Sequence, residues 1–190
     1  MVFQRKTVLI FTIKNKNKTA LAASFEIRHF NNMYKDAHLP RKFLVVVDGT
    51  PESRAALRWA ERRAHGNGGQ LALLAVLEPG GFEHWLGVET LMKEEAKENA
   101  EQILAELSAE VEKIAGRSPE THIMEGDRIE QVMDLINSDK TISTLVLAAG
   151  TDPAGPGPLV GALATGKAGF HIPVTVVPGE LSDDEIDALT

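Results

Sequence analysis

A segment in which an apolar strand runs directly into a helix constrains the fold of this chain most: residues 43–59, FLVVVDGTPESRAALRW. Its first five residues carry no polar interruption, as expected of a strand that helices cover on both faces. Gly49 permits a sharp turn, Thr50 is a good N-cap, and Pro51 suits the first helical position. This succession of buried strand, turn and helix predicts an open parallel α/β sheet. Ligands bind such sheets at the carboxyl ends of the strands, where this sequence places Asp48.

Four further strands alternate with helical segments along the chain. They are predicted at 70–77, 120–124, 144–149 and 173–177, with a short helix at about 159–168 and a long one at about 89–115, whose apolar residues recur with a 3.6-residue period. Strands that alternate with helices form βαβ units and hence a parallel sheet. We therefore expect one α/β domain over residues 41–178. An acidic C-terminal tail, residues 179–190, is expected to carry a loosely docked helix.

The first 40 residues differ from the rest of the chain in charge. Residues 1–40 carry +5, whereas the whole chain carries −7, which leaves −12 for residues 41–190. A body that acidic repels nucleic acid and anionic membranes, so neither is expected as a partner. We expect residues 1–40 to be a disordered basic extension or an upstream misassignment of the start, with Met33 as the natural initiator. A secretory signal or a transit peptide is the less favoured alternative.

The residue inventory excludes several kinds of site. The chain has no cysteine, which removes disulfides, thiolate metal sites and a cysteine nucleophile and is compatible with a cytoplasmic location. None of the six histidines has a partner at metal-ligand spacing, so no metal site is expected. His84 and Trp85 could stack on a base, although Phe82 and Trp85 are better explained as a seal over the core or a subunit contact.

Two near-motifs for phosphate chemistry are incomplete. Asp48 begins an Asp-Gly-Thr turn like that of the aspartyl phosphatases, but Val46 occupies the position of their nucleophile. The segment GALATGKA is close to a P-loop, but Ala168 follows Lys167 where a magnesium-binding hydroxyl is needed. No base, nucleophile and oxyanion donor come together, so we do not expect a dedicated enzyme, with slow ATP hydrolysis left open.

Several segments together resemble the universal stress protein family over residues 41–178. They are the order of the elements, the opening VVVDGTPESRAALRWA, the EGD turn after the third strand, the glycine after the fourth strand and the closing HIPVTVVP. The resemblance implies a five-stranded parallel sheet in the order 3-2-1-4-5 with helices on both faces, usually a homodimer, and in many members ATP binding.

The glycine loop after the fourth strand departs from the family pattern. Nucleotide-binding members carry Gly-x-x-Gly, nine residues, then Gly-Ser or Gly-Thr. Gly150 matches the first glycine, but a proline stands at the second, for which Gly155 and Gly157 are substitutes in a reshaped loop. Gly161 is the candidate late glycine, and Ala162 replaces its hydroxyl partner. The resemblance therefore implies weak or altered binding of ATP or another adenine nucleotide, with Mg²⁺ as an optional companion ion.

The same resemblance supplies a set of site residues. Asp48 would face ribose or adenine, Val76 would pack on the base, and two glycines would let the backbone approach the phosphates. The predicted nucleotide-binding residues are Val47, Asp48, Thr50, Val76, Gly150, Gly155 and Gly161.

The fifth strand predicts how two copies would associate. Its apolar edge has few of the features that prevent pairing with another strand. We expect a second subunit to cover this edge through Ile172, Val174 and Val176. An alternative from a different class is an interaction module with a vestigial pocket, which acts through its dimer and its long charged helix.

Overall fold

The computed structural model describes residues 9–11, 41–78, 86–153 and 155–190. The strands in this part of the chain are β1 (Leu9–Phe11), β2 (Lys42–Val46), β3 (Gln70–Leu77), β4 (Glu120–Glu125), β5 (Ile142–Ala149) and β6 (Val174–Pro178). The helices are α1 (Pro51–Asn67), α2 (Leu86–Ala115), α3 (Arg128–Ser138), α4 (Pro158–Ala164) and α5 (Asp183–Leu189).

The strands form one sheet in the order β1-β6-β5-β2-β3-β4. The five strands from β6 to β4 are parallel to one another. The predicted strands one to five correspond to β2 to β6, so the observed order β4-β3-β2-β5-β6 confirms the predicted order 3-2-1-4-5. β1 adds a sixth strand, antiparallel to β6.

Alternate residues of the central strand face different helices, because successive strand side chains point to opposite faces of a sheet. Val45 and Val47 pack with α1, α2 and α5, whereas Leu44 packs with α3 and α4. Val45 and Leu44 are both fully buried, so β2 is covered on both faces, as its uninterrupted apolar sequence predicts.

Local capping sets the ends of the helices that flank the carboxyl edge of the sheet. Thr50 caps α1 by accepting a hydrogen bond from the Ser53 N–H at 3.2 Å. Asp127 caps α3 by accepting hydrogen bonds from the N–H groups of Ile129 and Glu130 at 2.9 and 3.0 Å. α4 ends at Ala164, earlier than predicted, because Gly166 turns the chain with a φ of 72°.

The C-terminal helix is packed closely on the domain, not loosely docked as the sequence suggested. Ile186 is fully buried in the cluster that includes α1. The Asp187 carboxylate accepts paired hydrogen bonds from Arg58 and Arg62 at 2.7–3.0 Å. The acidic tail is therefore part of the core structure.

The edge predicted to meet a second subunit is paired within the chain. β1 aligns Leu9 with Val176 and Phe11 with Val174. This strand lies in the basic extension of residues 1–40, the rest of which lies outside the described residues. The side chains of Ile172 and Val174 are buried in the core of their own domain, so their apolar character does not by itself require a partner.

In the part of the chain that the structure describes, no helix combines the length and apolar character that a bilayer crossing needs.

Candidate functional site

A cavity of about 710 Å³ opens at the carboxyl ends of β2 and β5. Its walls come from the turn into α1, from the loop between β5 and α4, and from the first residue of α3. This is the edge at which parallel α/β sheets bind ligands, and the volume is within the usual range for small-molecule sites. The cavity is therefore the candidate functional site.

Asp48 is held in a defined orientation at the mouth of the cavity. Its Oδ1 accepts hydrogen bonds from the Thr50 N–H at 3.1 Å and from the Thr50 hydroxyl at 2.7 Å. Asp48 is exposed, so the carboxylate lies in contact with solvent. The turn thus presents an oriented acceptor that could bind ligand hydroxyl or amino groups.

The loop after β5 folds back on itself through backbone hydrogen bonds. The Gly150 N–H donates to the Pro156 carbonyl at 3.2 Å, and the Gly155 N–H donates to the Asp152 carbonyl at 3.0 Å. The Gly161 N–H donates to the Gly157 carbonyl at 2.9 Å, inside the first turn of α4. These three glycine amides are therefore engaged within the protein. They do not form a ready-made cradle for phosphate oxygens.

Close backbone approach explains the glycines of this loop. A Cβ on Gly150 would lie 3.1 Å from the Gly155 carbonyl oxygen, which is tighter than ordinary contact. Gly155 and Gly157 have φ values of 119° and 90°, a region that L side chains rarely adopt. The glycines thus shape the wall of the cavity whether or not a phosphate binds there.

The described residues that line the cavity carry more negative than positive charge. Asp48, Glu52 and Asp152 contribute carboxylates, and Arg128 contributes one guanidinium. The Thr151 hydroxyl donates to Glu52 Oε1 at 2.7 Å, and this hydrogen bond lowers the pKa of Glu52, which keeps its carboxylate ionised. A ligand with several phosphate charges would meet net repulsion.

The structure brings together most, but not all, of the predicted site residues. Those that line the cavity are Asp48, Thr50, Gly150, Gly155 and Gly161. Val47 lies on the opposite face of the sheet, where it is buried against α1 and α2, and Val46 lines the cavity in its place. Val76 packs on the cavity face of the sheet but does not line the cavity. Lys167 is also absent from the lining, and His84 and Trp85 lie outside the described residues.

Glu52 and Arg128 are among the lining residues that were not predicted, and both lie at the start of a helix. Glu52 lies in the first turn of α1 and Arg128 begins α3. Each lies just after a turn that follows a predicted strand, the DGT turn for Glu52 and the EGD turn for Arg128. The position of these segments was the available signal, because the first side chains of helices that begin at one edge converge there.

A family model described as the Universal stress protein family matches residues 40–178. No curated protein matches the chain. Among solved structures, universal stress protein UspA from Lactobacillus plantarum superposes with a TM-score of 0.61 at 18% identity, covering 73% of this chain and 96% of that chain. A universal stress protein in complex with cAMP gives a TM-score of 0.54 at 15% identity, covering 74% and 98%. The universal stress protein from Archaeoglobus fulgidus in complex with dAMP gives a TM-score of 0.50 at 18% identity, covering 73% of this chain and 97% of that chain.

Proposed function

The chain belongs to the universal stress protein family, and on that premise we propose that it is a regulatory protein that binds an adenine nucleotide beside Asp48 without turning it over. The observation that carries the proposal is the convergence of five predicted site residues on one cavity. Two proteins of similar fold are complexes with cAMP and dAMP, which supports an adenine ligand.

In this proposal Asp48 binds the ribose hydroxyls, and the apolar residues Val46 and Leu147 form the floor of the cavity under the nucleoside. Both apolar residues line the cavity and face the same side of the sheet, and Asp48 stands at the end of β2 beside them. Gly150 and Gly161 form the opposite wall, where the phosphate end of the ligand would lie.

The charge of the cavity favours a ligand with few phosphates. Like charges 4 Å apart repel by about 4 kcal/mol at an effective dielectric constant near 20, and the energy falls inversely with distance. Each additional phosphate on the ligand therefore lowers its affinity through repulsion by the carboxylates of Asp48, Glu52 and Asp152, and the amides of three loop and helix glycines, 150, 155 and 161, are already paired. We propose that adenosine, AMP or a cyclic nucleotide binds more tightly than ATP. Mg²⁺ would arrive with a triphosphate, since the described residues include no group of three acidic or histidine side chains that could hold a metal.

Calorimetric titration with adenosine, AMP, ADP and ATP tests the proposal. We expect affinity to decrease as phosphates are added, and Asp48→Ala to lose about 10- to 100-fold, the equivalent of one charge-assisted hydrogen bond. Asp48→Asn keeps an oxygen acceptor for Thr50 and separates loss of charge from loss of the turn. Lys167→Ala is the matched control and should bind as the unsubstituted protein does. If none of the four ligands produces heat or a thermal shift, the nucleotide proposal fails.

We also propose that the chain forms a homodimer along the edge of β6. Because β1 pairs with Val174, Thr175 and Val176, a second copy would have to displace it. Light scattering should then show a larger dimer fraction for a chain that begins at residue 40, where the family match begins, than for the full chain. A monomeric mass for both chains at micromolar concentration would rule out this interface.

Cytoplasmic location is likewise a proposal, which cell fractionation would test.

A further inference from the structure

Arg128 is the single cationic side chain among the described residues that line the cavity. It is the first residue of α3, directly after the N-cap Asp127. Its Nη2 donates to Glu78 Oε2 at 2.9 Å, and Glu78 directly follows β3. The guanidinium is therefore fixed beside the end of β3.

The order of the sheet gives Arg128 a definite side of the cavity. β3 and β5 flank β2 on opposite sides, so Arg128 stands across the cavity from the glycine loop that follows β5. A nucleotide that spans the cavity with its phosphate at the glycine loop and its ribose at Asp48 therefore directs its base toward Arg128. The cavity floor at this face consists of Val46 and Leu147, which belong to the same core cluster as α3.

The state of the guanidinium suits a planar contact better than a phosphate contact. Its charge is already paired with Glu78, which weakens it as a phosphate-binding group. The side chain is 23% exposed, and its hydrogen bond to Glu78 occupies one edge of the guanidinium, which leaves the planar face open to a ligand in the cavity. A planar, weakly hydrated guanidinium stacks well on aromatic rings.

We propose that Arg128 binds the base of the ligand, with its guanidinium plane against a purine ring that rests on Val46. This inference rests on the proposed function, since it assigns a residue to the base end of the same ligand. It makes Arg128 a specificity residue for an aromatic base, with no role in holding phosphate.

The test compares ligands that contain or lack each part of the nucleotide. Adenosine lacks phosphate, and ribose 5-phosphate lacks the base. In Arg128→Lys the charge and a donor to Glu78 are retained but the plane is lost. We expect adenosine and AMP to lose the same affinity, about 3- to 30-fold, with ribose 5-phosphate unaffected. Arg62→Ala, which removes an arginine from the far part of α1, is the control and should leave all three ligands unchanged.

Three results would overturn the inference. A loss for AMP with none for adenosine would place Arg128 at the phosphate. Unchanged affinity for every ligand would remove it from the site. Absence of adenosine and AMP binding by the unsubstituted protein would overturn the proposed function and this inference together. Thermal unfolding without ligand should give the same midpoint for Arg128→Lys as for the unsubstituted protein, so that a folding defect is not mistaken for lost binding.

Discussion

The substitution Ile186→Ala tests whether the C-terminal helix α5 is part of the cooperative core. Ile186 is fully buried in the cluster formed with α1, although it lies beyond residue 178, where the family match ends. Truncating a fully buried isoleucine removes transfer free energy and leaves a cavity, which together cost about 2 to 5 kcal/mol. For a domain of this size that corresponds to a fall of about 4 to 20 °C in the unfolding midpoint.

Urea denaturation followed by circular dichroism measures the free energy of unfolding, and its slope tests whether unfolding stays cooperative. Leu189→Ala is the matched control, because Leu189 lies in the same helix and is 48% exposed. We expect the control to change stability by less than about 0.5 kcal/mol. If Ile186→Ala has an equally small effect, α5 opens independently of the domain and the close packing seen here does not contribute to global stability.

Other substitutions test the glycines and the buried charges. Gly179→Ala should lower the free energy of unfolding by about 1 to 3 kcal/mol, because its Cβ would meet Glu52 and lie 2.7 Å from the Ala149 carbonyl oxygen. Gly66 lies in α1 and a Cβ there meets nothing, so Gly66→Ala should raise the free energy of unfolding by about 0.5 to 1 kcal/mol. Urea denaturation measures both. Burial raises the pKa of Glu61, so the ionised carboxylate destabilises the folded state at neutral pH. Glu61→Gln should therefore raise the thermal midpoint at pH 7, and this gain should disappear as the pH falls below the ordinary glutamate pKa. A gain that grows toward acid pH would contradict this. Burial alone would raise the pKa of Asp139, but hydrogen bonds from Lys42 and a neighbouring threonine outweigh it and lower that pKa. The resulting stabilisation is present above the ordinary aspartate pKa and is lost as the pH falls through the pKa of the folded state. Asp139→Asn should therefore flatten the acid limb of a stability-versus-pH curve, and an unchanged limb would exclude the Lys42–Asp139 pair as its cause.

The parallel sheet was predictable because its signals are local. The apolar run before Asp48, the cap at Thr50 and the alternation of strands with helices each follow from short stretches of sequence. The choice between Val46 and Val47 as the cavity residue depended on which face of β2 meets which helices. Only the packing of α3 and α4 on the Val46 side decides that.

Features that depend on distant pairing were not predictable in this way. β1 is three residues long and lies in a basic segment with no strand periodicity, so its pairing with β6 depends on an edge contributed more than 160 residues later. The docking of α5 likewise depends on Arg58 and Arg62, whose positions on α1 match Asp187 only in the folded chain. Short amphipathic segments carry too little periodic signal to show which surface they will contact.

The glycine loop shows why a motif and its chemistry can separate. Glycines at 150, 155 and 161 partly match a pattern in which small residues allow a phosphate to approach the backbone, yet their amides donate to carbonyls of the same loop and helix. Affinity for phosphate requires amides that are free to donate, together with a favourable local charge. Here the paired amides and the three lining carboxylates act in the same direction, against polyphosphate, while the oriented Asp48 and the apolar floor remain available to a nucleoside. The ratio of adenosine to ATP affinity therefore reports on the loop amides and the charge of the cavity, which the spacing of the glycines alone does not determine.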